Sequence, residues 1–295
     1  MGVIALPLEA ARDVRAVDAR RIGARASRAL IAELRAYPKP GLVSLVDTGS
    51  HADMDASHFL RSAFVLRRSF AEFARAGASG ASFDALRRIG VAAEVAMTRA
   101  TGGVNTHRGA IFAIGLLAAA AGARARSGMM DDATLGDVVR DRWGDNIAAH
   151  RRDPASHGSR VQRRCGTGGA QAEAAAGFPT VFTVALPAFR DARARGAAHP
   201  EAKIEAFFAL LACVEDTNLI HRGGPEGLAF AQGSARDFLA AGGVHAPDAM
   251  TRAQSIHHAF IARRLSPGGS ADLLAATLFA HADANTDADA CADRA

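Results

Sequence analysis

From Ala110 to Ala121 the chain carries twelve consecutive residues without one polar side chain. The run is short of the ~20 residues that a membrane span needs. It is apolar all round, so as a helix it has no face to offer water and belongs at the centre of a fold. The flanking sequence extends that helix from about His107 to Arg124. Segments of helical period stand on either side of it. Val14, Val17, Ile22, Leu30, Ile31 and Leu34 form one apolar stripe within Ala10–Ala36, which Pro38 and Pro40 end. Phe59, Ala63, Leu66, Phe70 and Phe73 form another over 57–76. Ser82 is placed to cap a helix that reaches Arg99. Further helices are expected over 132–150, 168–176, 200–220, 226–241, 248–264 and 270–281, with Pro225 in a first turn and Ser270 as a cap. Only Thr180–Leu186, between Pro179 and Pro187, has the β-branched content of an extended piece or short strand.

The expected fold class is therefore all-α. A single compact multi-helix domain occupies 1–281, with functional loops between helices, and an Ala/Asp-rich tail over 282–295 is expected to be disordered. Gly128–Asp132 is the best candidate boundary, but helices flank it closely.

Charge narrows the partners. The net charge of +5 is spread along helices and forms no dense block, which argues against nucleic acid and suits a small anionic substrate. Of 35 basic residues only Lys39 and Lys203 are lysines. A lysine kept among so many arginines suggests a need for a compact point charge. Lys39 lies between two prolines, whereas Lys203 looks incidental on a charged helical face. The three cysteines, Cys165, Cys213 and Cys291, show no metal or disulfide spacing, and a reducing cytoplasm is expected. No signal peptide or membrane span is expected.

Polar clusters interrupt the helical pattern. Thr101-Gly-Gly-Val-Asn-Thr-His-Arg-Gly109 sits where the apolar helix starts. Gly102 and Gly103 allow close backbone approach, and the helix start offers free N–H groups, so Asn105, Thr106 and Arg108 are expected at an anion. Pro38-Lys39-Pro40 holds an ammonium in a rigid turn, aimed at phosphate or simply ending a helix. His51-Ala-Asp53-Met-Asp55 offers two carboxylates to a hard cation, with Arg61 one turn further on; the competing role for Asp55 is a helix cap. Asp216 and Asn218, followed by Arg222-Gly223-Gly224, mix metal-binding and anion-binding groups, or form a C-cap at Gly223. Cys165-Gly-Thr-Gly-Gly-Ala-Gln-Ala-Glu173 is a glycine-rich loop in which Glu173 suits a metal or a proton. Ser266-Pro-Gly-Gly-Ser-Ala-Asp272 reads as a helix–helix turn.

In this order, Pro38–Val43, Gly49–Asp55, Thr101–Phe112, Gly169–Phe178, Asp216-Thr217 with Arg222-Gly-Gly, and Ser266–Asp272 resemble the triphosphoribosyl-dephospho-CoA synthases over about residues 20–281. The stretch Gly41–His51 is similar to the branch that serves malonate decarboxylase; the citrate lyase branch has Asp-Arg where this chain has Ser44-Leu45. Arg108 stands where lysine is common, and Gln171 and Ala175 stand where the citrate lyase branch often carries charge. The resemblance implies transfer of the triphosphoribosyl group of ATP to 3′-dephospho-CoA with release of adenine. The product would be the prosthetic-group precursor for a malonate decarboxylase acyl-carrier subunit and its holo-transferase. ATP is then a cosubstrate, with Mg²⁺ expected.

On that chemistry Lys39, Arg61, Arg108 and Arg222 are expected at phosphates, with Gly102, Gly103, Asn105 and Thr106. Asp53, Asp55, Asp216 and Glu173 are candidate metal ligands. Asp53, Asp216, Glu173 and His107 are candidates for proton transfer or oxocarbenium stabilisation. Two other classes fit the same clusters: an all-α Mg²⁺-dependent nucleotide hydrolase or phosphotransferase, and a non-catalytic nucleotide-binding partner. Free adenine, ADP or AMP, or no turnover would tell them apart.

Overall fold

The structure, a computed structural model, describes residues 8–127, 133–150 and 169–292. Gly128–Asp132, and the Cys165–Gly168 part of the glycine-rich loop, lie outside the described residues. Among those described are eleven α-helices and no β-strand. They are α1 (Leu8–Leu34), α2 (Ala56–Ala78), α3 (Phe83–Ala100), α4 (Arg108–Ser127), α5 (Leu135–Ala149), α6 (Gly169–Ala175), α7 (Leu186–Ala194), α8 (His199–Cys213), α9 (Thr217–Ala240), α10 (Ala249–Ala262) and α11 (Gly268–Ala292).

The apolar run becomes the axis, as its pattern requires. α4 packs against α1, α2, α3, α5, α6 and α11. Although α4 is long and apolar enough to cross a membrane by composition, 72 % of that stretch is buried inside the protein. Small residues set how closely its neighbours approach. A Cβ on Gly77 of α2 would stand 1.9 Å from Ala119 O, and one on Gly122 of α4 would stand 1.9 Å from Ala74 O. The two backbones meet in both places, which an alanine at either position would prevent. The Phe73 ring fills the gap that Gly115 leaves between them.

Several boundaries differ from expectation. α8 stops at Cys213, and Asp216 caps a new helix where one continuous helix over 200–220 was expected. Asp216 accepts from Asn218 N–H, the bond that starts α9. α9 is kinked at Gly224 (φ 64°), with Pro225 opening the second half. The turn residue is thus Gly224, not Gly223. Thr180–Ala185 forms a π-helical turn in place of an extended piece. Its β-branched side chains prefer strands, but packing on α8 and α11 overrides that preference and buries Val181. Ser270 lies inside α11 and donates to Asp216, so it does not cap its own helix. α11 also runs to Ala292, past the end expected at 281, and Asp283 in the supposed tail is buried between Arg25 of α1 and Arg124 of α4.

Candidate active site

The Thr101–Gly109 motif is built first as a turn. The Thr101 hydroxyl is buried and donates to Met97 O at 3.0 Å. Gly102 and Gly103 both take positive φ (65° and 100°) with open space around them, so conformation and not crowding demands glycine there. The Asn105 side chain accepts from Arg108 N–H at 3.2 Å and starts α4. The Arg108 side chain is exposed and pairs with Glu94 at 2.9 Å.

An acid of the protein itself stands at the start of α4. Asp272 of α11 is half-buried and accepts from Ala110 N–H in the first turn of α4. A Cβ on Gly109 would stand 2.0 Å from Asp272 Oδ2, so the glycine makes room for that carboxyl. Asp216, which is buried, is held from two helices: it accepts from Asn218 N–H (2.9 Å) of α9, and from Ser270 N–H (2.8 Å), Ser270 Oγ–H (3.1 Å) and Gly269 N–H of α11. Three helix starts, with their positive dipole ends, are spent on two aspartates.

Both carboxyls line a cavity of about 380 Å³ together with Gly109, Phe112, Glu173, Phe178, Cys213, Thr217 and Gly269. That volume falls in the range of about 300–1,000 Å³ usual for small-molecule sites. Glu173 of α6 reaches it with Oε1 accepting Thr180 N–H at 2.8 Å. Burial pushes the pKa of Glu173, Asp216 and Asp272 above the usual carboxylate range. Asp272 is raised furthest in setting: burial is the largest cause, and the charges of Glu33 and Asp216 add to it. For Asp216 the N–H donors oppose the effect of burial.

Behind the cavity lies a charged layer absent from the sequence-level picture. Lys39 is 1 % exposed and forms an ion pair with buried Glu33 of α1. It therefore points inward, toward that carboxylate, and an ammonium so enclosed must keep its partner. Lys203, which looked incidental, is also buried and donates to Ala32 O at 3.1 Å. His107 is buried, bonded through Nδ1 to Ser62 Oγ at 2.6 Å, and its Nε2 has no hydrogen-bond partner. Burial first, and then the Lys39 charge, lower its pKa to about 3, so the ring is neutral. The Thr106 hydroxyl is likewise buried without a partner.

The remaining predicted residues gather elsewhere. Asp55 caps α2, accepting from Ser57 and His58, and its pKa falls below the usual range through those bonds. Asp53 is exposed and 3.5 Å from His51 Nδ1. Arg222 donates to Ser50 O and Arg264 O (3.3 Å each) and sits 3.3 Å from His51 Nδ1. Arg61 is exposed. His257, not singled out from sequence, is buried and ties the 41–50 loop to α10 through Lys39 O (2.8 Å) and Asp47 (3.1 Å).

The expected metal set does not assemble. Asp216 and Glu173 share the cavity, while Asp53 and Asp55 do not line it. The oxygens of Asp216 are taken up by N–H and O–H donors. Among the described residues no group of three or more His, Cys, Asp or Glu could hold a metal.

The fold and site define an all-α protein with a small-molecule cavity lined by acids, two of them bonded to helix starts. Residues 19–289 match the family described as "CitG: ATP:dephospho-CoA triphosphoribosyl transferase", and the chain belongs to that family of transferases. It is 39 % identical over 263 residues to the "Probable 2-(5''-triphosphoribosyl)-3'-dephosphocoenzyme-A synthase" of Acinetobacter calcoaceticus, covering 88 % of this chain and 90 % of that one. Proteins of the same name from Stutzerimonas stutzeri (strain A1501), 41 % identical over 88 % of this chain and 91 % of theirs, and Salmonella gallinarum, 42 % over 86 % and 87 %, are similar to it. No solved structure matches the chain.

Proposed function

We propose that the protein transfers the 5-triphosphoribosyl group of ATP to the 2′-hydroxyl of 3′-dephospho-CoA, releasing adenine, in the cytoplasm. The observation that carries this reading is the cavity in which Glu173, Asp216 and Asp272 converge. Breaking a glycosidic bond builds positive charge on the ribose, which a carboxylate stabilises, and the attacking hydroxyl must lose a proton. Asp216, with four donors to hold its negative charge, suits the first task. Glu173 suits the second: burial makes it a stronger base than an ordinary carboxylate. Arg61, Arg108 and Arg222, all exposed, together with the 101–106 turn, are the groups open to phosphates. The Asp53 carboxylate stays open to solvent. Mg²⁺ would come with the triphosphate, whose own oxygens supply most of its ligands; the acids of the cavity do not form a cage for it.

The Ser44-Leu45 form of the 41–51 loop favours a malonate decarboxylase carrier over that of citrate lyase. Deleting the gene in its own cell tests this point: loss of the prosthetic group from a citrate lyase carrier alone would refute it. For the reaction itself, Glu173→Gln should lower adenine release by about 10²–10⁴-fold, the usual scale for one acid–base group. A rate within tenfold of the parent would remove Glu173 from the chemistry.

A further inference from the structure

The SPGGSAD segment is the one motif that the reaction outlined above leaves unused, and the structure makes it the closest-built part of the cavity. Ser266 bonds His51 Nε2 at 2.8 Å, Gly268 packs on Asn218, Gly269 and Ser270 donate to Asp216, and Asp272 reaches the first turn of α4. Two glycines are required by the two aspartates: Gly109 clears Asp272 and Gly269 clears Asp216, whose oxygens would lie 3.1–3.3 Å from an added Cβ. The two acids are then treated differently. Asp216 receives four hydrogen bonds, whereas Asp272 receives the single Ala110 N–H. Burial disfavours charge on both, and the fuller set of donors on Asp216 offsets it more, which leaves Asp272 the better placed of the two to carry a proton.

We propose that Asp272 is the catalytic acid that protonates the adenine leaving group, a role that rests on the transferase reading above. As the C1′–N9 bond of ATP breaks, its electron pair goes to the purine, and the Asp272 carboxyl proton goes to a ring nitrogen of that purine. The 2′-hydroxyl oxygen of dephospho-CoA forms the new bond to the same ribose carbon, and its proton leaves to Glu173. One proton is given and one taken, so Asp272 regains its proton by exchange after adenine departs.

The surroundings of Asp272 favour its protonated form. Glu33 of α1 and Asp216 at the start of α9 both disfavour a second charge, and burial does so most. Lys39 offsets Glu33 by pairing with it, and Glu173 of α6 and Glu215 add two more carboxyls to the cavity wall. The Ala110 N–H works in the other direction.

The test compares the parent with Asp272→Asn, which keeps the oxygen that Ala110 needs and loses the proton. Each is given ATP, Mg²⁺ and 3′-dephospho-CoA, with adenine and adduct read by mass and ATP affinity by calorimetry. The expected result is adenine release lowered about 10²–10⁴-fold, with ATP affinity within a few-fold and no loss of thermal stability at pH 7. Release within tenfold of the parent would overturn the assignment. So would lost rate accompanied by equal loss of ATP affinity, which marks a binding residue. A parent that makes no adenine defeats the transferase reading itself and is told apart by that. Should Asp272→Asn not fold, the parent's own pH–rate profile decides: kcat should fall on the alkaline side with a pKa well above ordinary carboxylates, and a flat profile would refute the acid role. Gly109→Ala, which pushes on the carboxyl from α4, should lower kcat more than it raises KM.

Discussion

Removing the Lys39 side chain should damage the fold far more than the grip on ATP. Lys39 and Glu33 are 1 % and 5 % exposed, and no water can replace either partner. Lys39→Ala leaves a buried carboxylate without its cation, and that carboxylate already influences Asp272. Loss of one member of a buried pair costs about 3–5 kcal/mol. At about 2.1 cal/mol/K per residue, 295 residues give an unfolding entropy of about 0.6 kcal/mol/K, so ~4 kcal/mol lowers Tm by about 6 °C. The double variant Glu33→Leu/Lys39→Met removes both charges at similar volume and should regain most of that loss, since apolar replacement of a whole buried pair is often neutral or better. Urea unfolding of the parent, both singles and the double, closed as a thermodynamic cycle, measures this directly. The reasoning fails if Lys39→Ala lies within 1 kcal/mol of the parent while its KM for ATP rises steeply. That pattern would return Lys39 to the phosphate site.

Other outcomes follow from the same structure. His107 is held near a pKa of about 3 against an ordinary 6.5, so the unfolded chain takes up its proton first. Its stabilising contribution is whole above about pH 6.5 and is lost by about 1.4 kcal/mol per unit as pH falls toward 3; His107→Gln should flatten that slope, and an unchanged slope would contradict burial as the cause. Asp272 has the opposite sign: its raised pKa costs stability as pH climbs above the ordinary carboxylate value, so Asp272→Asn should be the more stable protein at pH 7 and lose that advantage at acid pH. Gly77→Ala should destabilise by at least about 1–3 kcal/mol because its Cβ meets Ala119 O, whereas Gly90→Ala on α3, where only Phe73 Cζ lies at 3.7 Å, should gain about 0.5–1 kcal/mol. Asp55→Asn keeps the α2 cap and should leave turnover unchanged, which a metal ligand could not.

The helices were legible because burial imposes a period, and α4 was legible as the centre because it has no polar face. What escaped was direction. A lysine between two prolines has the same sequence whether it faces water or Glu33, and only tertiary packing makes the choice. Glu33 itself carried a signal: it is one acid among Leu30, Ile31, Ala32 and Leu34 on an otherwise apolar stretch. Asp216 lay inside an unbroken helical pattern, so its capping bond to Asn218 was hidden until α8 was seen to stop. Asp272 was concealed because a Ser-Pro-Gly-Gly-Ser turn explains itself locally, and nothing local says that its aspartate reaches another helix. The glycines of the 101–109 motif were rightly marked as special, but their purpose divides: two shape a turn, and Gly109 makes space for a carboxyl.

The central claim is that this cavity cleaves the glycosidic bond of ATP and leaves its phosphates intact. Incubation of the protein with ATP, Mg²⁺ and 3′-dephospho-CoA, followed by mass analysis, reads it directly. Free adenine in equal amount to a triphosphoribosyl adduct of dephospho-CoA is the predicted result. ADP or AMP as the nucleotide product, with no adenine and no adduct, would contradict it.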